Sequence, residues 1–159
     1  LSWFRDTGYA QLIEEIDKTE GSKPIAVIFN LGVNDLGNAG NYVSYMTNIA
    51  STLKSKNCKL FYMSVNPINS TMITKTGRGA RTEAQVREFN SKIRSGLSLY
   101  YKYIDMYSVL MKKGYGTNAR YDGVDDGDDG LHYTTKTFKR IYYYCITYLN
   151  TGSINATYY

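Results

Sequence analysis

Asp129-Gly130-Leu131-His132, near the C-terminus, joins the only histidine of the 159 residues to an aspartate three positions earlier. An imidazole changes charge near neutral pH, and a carboxylate beside it fixes its tautomer and steadies its cation. The pair is therefore the minimum kit for general-base catalysis. A turn of this spacing can set carboxylate and ring side by side without another element. A second stretch, Gly32-Val33-Asn34-Asp35, offers a complementary group. An Asn34 side-chain N–H aimed at a developing oxyanion would be worth roughly 3 kcal/mol. Asn34 has a plainer reading as a turn former or helix cap, and Asp35 reads as a brace for its loop. Neither stretch supplies a nucleophile. Ser2 is terminal, Ser64 falls inside an expected strand and Ser70 in an expected loop, so none has the strand-turn-helix setting of a reactive serine.

The elements that must hold these stretches alternate in type. Residues 6 to 19 read as an amphipathic helix with Tyr9, Leu12, Ile13 and Ile16 on one stripe. Residues 25 to 31, IAVIFNL, are a continuous apolar, β-branched run, the pattern of a strand covered on both faces. It leads into a polar, glycine-rich loop, and open α/β sheets place ligands at such strand ends. A helix over 41 to 56 turns Tyr42, Tyr45, Ile49 and Leu53 inward, and a strand covers 59 to 65. Residues 66 to 81 read as a polar loop. Thr82 and Gln85 form a capping box for a helix whose inner face is Val86, Phe89, Asn90 and Ile93. A strand over 101 to 107 is followed by an irregular segment over 108 to 128. A last helix, 134 to 149, is expected to bury Phe138, Ile141, Tyr142, Cys145 and Leu149. The order α-β-α-β-α-β-α specifies an α/β fold with a parallel sheet and helices on both sides. One domain spans residues 1–150, with a polar tail over 151–159.

Composition excludes several classes. The chain is 43% hydrophobic and 21% charged, ordinary for a globular domain. Nineteen basic and 14 acidic residues give a net charge of +5. The basic residues are scattered rather than gathered into a stripe with stacking aromatics, which argues against nucleic acid as partner. No run of apolar residues is long enough to span a bilayer, and no phosphate-cradling glycine loop supports a nucleotide binder. Seventeen tyrosines fit either half-buried faces or surfaces that meet sugars. Cys58 and Cys145 have no metal-ligand spacing; they are one bridge or two free thiols. Asp122, Asp125, Asp126, Asp128 and Asp129 form an acidic loop that lacks the EF-hand spacing. It reads as a solvated insertion, with a bound calcium ion as the alternative.

Taken with their setting, the two stretches resemble the SGNH, or GDSL-type, hydrolases. Gly32-Val33-Asn34-Asp35 is similar to the family's third block, G-x-N-D, and Asp129-Gly130-Leu131-His132 to its fifth, D-x-x-H. The resemblance covers about residues 20 to 150. It implies a flavodoxin-like three-layer α/β/α sandwich and serine-type hydrolysis of esters, acetyl or other acyl groups on carbohydrates or lipids. By it, His132 is the base, Asp129 its orienting partner and Asn34 an oxyanion donor, with no cofactor or metal. The family's G-D-S turn and the glycine of its second block have no counterpart here. The chain opens on Leu1-Ser2-Trp3-Phe4 without a Met. The expectation is a fold incomplete at its N-terminus, with the serine and two strands upstream. The strand at 25–31 would then be bare, and would pair with a separate N-terminal fragment or a second copy. The expected partner of the site is an acylated small molecule or glycan, and a sugar-directed hydrolase would suit secretion or the cell surface. The alternative is a catalytically inactive relative that binds glycans or a protein.

Overall fold

The computed structural model describes residues 1–19, 21–77, 79–116 and 129–154. Three parallel strands, β1 (Ile25–Phe29), β2 (Cys58–Met63) and β3 (Lys102–Ile104), form a sheet in the order β1-β2-β3. Registers of Val27 with Leu60, Phe29 with Tyr62, and Tyr62 with Tyr103 send one set of rings and branched chains to the first face of the sheet. Ile28 with Phe61, and Met63 with Ile104, point to the other face. Each set meets its own core cluster, so both faces are covered by helices. That is why these strands lack polar alternation in the sequence. The architecture is the expected flavodoxin-like α/β/α type.

On the first face pack α1 (Tyr9–Lys18), which continues a π-helical turn at Phe4–Gly8, α2 (Ala39–Ser55), α3 (Ser70–Lys75) and α4 (Glu83–Gly96). Val86, Phe89, Asn90 and Ile93 are all buried on α4, and the Thr82–Gln85 capping box forms in both directions. Tyr42, Ile49 and Leu53 are buried on α2, with Tyr45 half-buried against the same cluster. The second face carries α5 (Met106–Lys112) and α6 (Thr135–Thr151).

Several expectations need correction. The segment 66 to 81 is not all loop: Asn69 accepts from the Met72 amide and starts α3, which buries Ile73. The strand expected over 101 to 107 stops at Ile104, because the Asp105 carboxylate accepts from the Ser108 amide at 3.1 Å and caps α5. Met106 and Leu110, one turn apart, are the buried residues of α5, so residues 108 to 112 are helical rather than irregular. On α6 the buried stripe is Thr137, Ile141, Tyr144 and Cys145. Phe138 and Tyr142 lie on its flank, 52% and 62% exposed, not inward as expected. Cys58 and Cys145 are both free and buried. Among the described residues β1 pairs only with β2, and no helix is long and apolar enough to cross a membrane. Residues 155 to 159 of the expected tail lie outside the described residues.

Gly32 just after β1 has φ +123, and a Cβ there would come within 2.3 Å of the Phe89 ring. Phe89 is fully buried and packs edge-on against Tyr42 at 5.2 Å, so it has nowhere to move. Gly32→Ala is expected to lower unfolding free energy by about 2–4 kcal/mol, from backbone strain plus overpacking, read as the shift in urea midpoint.

Candidate active site

The loop after β1 is fixed by groups from three other elements. Asn30 Nδ2 donates to the Ser64 carbonyl at 2.8 Å, and the Tyr62 hydroxyl donates to the Leu31 carbonyl at 2.9 Å. Gly32 then turns the chain, and the Asp35 amide closes the turn on its carbonyl at 2.8 Å. The Asp35 carboxylate accepts from the Leu1 backbone nitrogen at 2.6 Å and the Tyr42 hydroxyl at 2.7 Å. Asp35 therefore braces the loop, as its position in the sequence implied.

Arg81, not singled out in the sequence, sets the orientation of Asn34. Its Nε donates to the Val33 carbonyl at 3.0 Å and its guanidinium to Asn34 Oδ1 at 3.1 Å. A guanidinium only donates. The Asn34 oxygen must therefore face Arg81, which leaves the amide N–H2 as the group on offer elsewhere. One of three basic residues in a polar stretch gives no sign of this role; only the fold brings it to a loop 47 positions earlier.

The loop after β2 is held by two buried polar side chains of α4. Asn90 accepts from the Val65 amide at 2.8 Å and donates to the Val65 carbonyl at 2.9 Å. Glu83 accepts from the Ile68 amide and the Tyr107 hydroxyl, both at 2.6 Å. Asn69 next to them anchors the histidine turn, its amide donating to the Gly130 carbonyl at 2.8 Å. Gly130 has φ +76, and a Cβ would come within 2.3 Å of the Asn69 carbonyl oxygen. Tyr133 closes the turn from the other side, its hydroxyl donating to the Pro67 carbonyl.

Within the turn, Asp129 Oδ1 accepts the amides of Leu131 at 2.9 Å and His132 at 2.8 Å. Its Oδ2 lies 2.7 Å from His132 Nδ1. The Asp129 side chain is 14% exposed and that of His132 66%. Burial alone would raise the Asp129 pKa. The two amides and the imidazole outweigh it and bring the pKa down to about 2 from 3.8. An ionised carboxylate accepts and does not donate, so the proton of a neutral His132 ring sits on Nδ1. The Nε2 lone pair is then the basic site.

His132 and Asn34 line one cleft of about 160 Å³ beyond the C-terminal ends of β1 and β2, with Asn30, Val33, Asn66, Ile68, Tyr133 and Phe138 among the other lining residues. The flank position of Phe138 on α6 makes it a wall of this cleft rather than core. The structure thus brings His132, Asp129 and Asn34 to one place. Among the described residues, no serine, threonine or cysteine lines the cleft. Ser64 is fully buried, its Oγ accepting from the Tyr107 amide at 2.7 Å. Ser70 opens α3 rather than lying in a loop, and Ser2 lies in the first helical turn; neither lines the cleft. Asn66, also unremarked in the sequence, has a buried Oδ1 without a hydrogen-bond partner among the described residues. Among the described residues no cluster of acids, histidine and cysteines could hold a metal. The calcium reading of Asp122, Asp125, Asp126 and Asp128 falls outside the described residues.

No family model matches the chain, and no curated protein is significantly similar to it.

A carboxyl whose folded pKa lies below its unfolded value adds stability above the unfolded value. It loses that contribution as pH falls through the folded one. For Asp129 the window runs from about pH 4 down to about 2. Asp129→Asn is expected to cost about 2 kcal/mol at pH 7. The gap to the parent chain should close as pH falls across that window, read from urea midpoints measured as a function of pH.

Proposed function

We propose that this domain carries the base and oxyanion side of a serine-type ester hydrolase of the SGNH kind. His132 is the general base, Asp129 orients it, and Asn34 donates to the oxyanion. The observation that carries the reading is the shared cleft: a histidine whose Nδ1 is held by an ionised aspartate opens on the same space as an asparagine amide turned by Arg81. In the reaction, His132 Nε2 takes the proton of a serine hydroxyl as its oxygen attacks the acyl carbon, and returns it to the departing alcohol. The acyl-serine is then hydrolysed by a water that the same nitrogen deprotonates. The cleft is lined largely by apolar side chains and asparagines, which suits an uncharged acyl group on an alcohol or sugar.

The serine of this scheme is not a residue of the cleft. We assign it to a segment outside residues 1–159 that joins the sheet at β1, either as a separate N-terminal fragment or within a larger assembly that uses this edge. β1 is the apolar run IAVIF without a charged residue, and it lacks the usual features that protect an edge strand from pairing. The missing hydroxyl also supports a second reading, a non-catalytic relative that binds acylated glycans or a protein partner.

Residues 1–159 alone should hydrolyse p-nitrophenyl acetate no faster than their His132→Ala variant; a burst of p-nitrophenol would place a nucleophile inside the chain. Expressed from its complete coding region, the protein should be active. There, Asn34→Ala is expected to lower kcat about 10²–10³-fold and His132→Ala by about 10³-fold or more. A folded but inactive product supports the non-catalytic reading. For the β1 edge, light scattering of the 159-residue chain should show association or aggregation, and a monodisperse monomer would count against the pairing.

A further inference from the structure

The opposite end of the sheet holds a groove that the chemistry of His132 does not use. It lies where β2 and β3 begin, has a volume of about 460 Å³, and runs past Leu60 and Phe61, whose own side chains are buried, to Leu99 and Tyr100. Lys54, Lys59 and Lys102 line it, and among the described residues no acidic one does. Some exposed lysines of the chain meet carboxylates, as Lys18 does with Glu14 and Glu15, and Lys92 with Glu88. None of the three groove lysines has a salt bridge among the described residues. Lys54 instead stands over the Tyr100 ring at 5.4 Å.

The rim also presents apolar side chains that the fold holds in solvent. Leu99 is 84% exposed and Tyr100 38%. The turn that carries them is anchored at both ends. Leu97 is buried, and its carbonyl accepts the amides of Tyr100 at 3.0 Å and Tyr101 at 2.9 Å. Tyr101 is buried, with its hydroxyl on the Met46 carbonyl at 2.7 Å. The apolar tip is therefore a fixed feature of the surface.

We propose that this groove docks a short acidic peptide segment of a partner protein carrying one large apolar side chain. The three ammonium groups meet its carboxylates, while the apolar side chain packs against Leu99 and Tyr100. The pairing of these two exposed side chains with an all-positive rim selects this occupant. A nucleic acid or sulfated polysaccharide would meet the lysines but leave Leu99 unused. Phosphatidylserine vesicles, whose surface could take the same lysines and Leu99, are the competing arm of the test: binding to them as tight as to the peptide overturns the proposal. The electrostatic part gives specificity and encounter rate, and the buried side chain gives residence time.

The test uses the 159-residue chain and a fluorescein-labelled nonapeptide with glutamates on both sides of a central phenylalanine, followed by anisotropy. Saturable binding is expected. The double variant Lys59→Glu/Lys102→Glu should weaken it about tenfold, and Leu99→Ser about threefold, at an unchanged melting temperature. The charge-matched double variant Lys136→Glu/Lys139→Glu, on α6, should stay within about twofold of the parent. A peptide with alanine in place of phenylalanine should bind more weakly. Absence of saturable binding overturns the proposal. So does equal weakening by the two double variants, or equal affinity for the alanine peptide or a sulfated polysaccharide, any of which would reduce the groove to bulk positive charge. Because no ester is turned over, the result is independent of the role proposed for His132.

Discussion

Strands of a parallel sheet release their chains into loops whose amides and carbonyls have no ladder to join, and buried backbone groups without partners are costly. In this protein that constraint is met by side chains from α4 and its flanking loops. Asn90 takes both polar groups of Val65, Glu83 takes the Ile68 amide, and Asn69 passes the restraint on to Gly130. The histidine turn is therefore positioned by the same network that ends β2. Remove α4 and both the floor of the cleft and the support of Asp129 go with it. The polar burial is consistent with a loop that must keep one shape rather than merely cover a core.

The two halves of the candidate site are built on different principles. Asp129 and His132 are three residues apart, and their geometry is local: one carboxylate gathers two amides and a ring nitrogen within a single turn. Asn34 depends on distance in sequence. Its amide is set by Arg81, and its loop is placed by Gly32 closing onto Phe89. The Asp129–His132 pair can keep its internal geometry if the rest of the fold shifts, but its place in the cleft, like that of Asn34, needs α4 docked against the sheet.

That difference explains what could be read from the sequence. The helices with one clear apolar stripe, α2 and α4, were legible to within a residue or two, and so was the capping box, since periodicity and caps are local signals. The buried parallel strands were legible as apolar runs but were drawn too long, because Asn30 and Leu31, and Ser64 and Val65, continue the pattern after pairing has ended. The short α3 and α5 escaped because their signals are single caps, Asn69 and Asp105, within stretches that otherwise read as loop or strand. Phe138 and Tyr142 share an apolar stripe at helical spacing with Ile141, Cys145 and Leu149, but the face that is buried, Thr137, Ile141, Tyr144 and Cys145, is turned to one side of it, and Phe138 borders the cleft instead. Arg81 and Asn66 could not be found at all: a hydrogen bond across 47 positions, or an orphaned acceptor, exists only once loops from separate units meet.

Cys58 belongs to the core on one face of the sheet and Cys145 to the core on the other, where its sulfur lies 3.5 Å from that of Met63. The sheet itself stands between them, so the native chain cannot bring their Cα atoms to bridging distance. Burial pushes the Cys145 thiol up to about 11 and raises that of Cys58 above its ordinary value, so both are poor nucleophiles while packed. The chain thus contains two silent reporters, one per layer. A thiol reagent that modifies one before the other would tell which half of the sandwich breathes first.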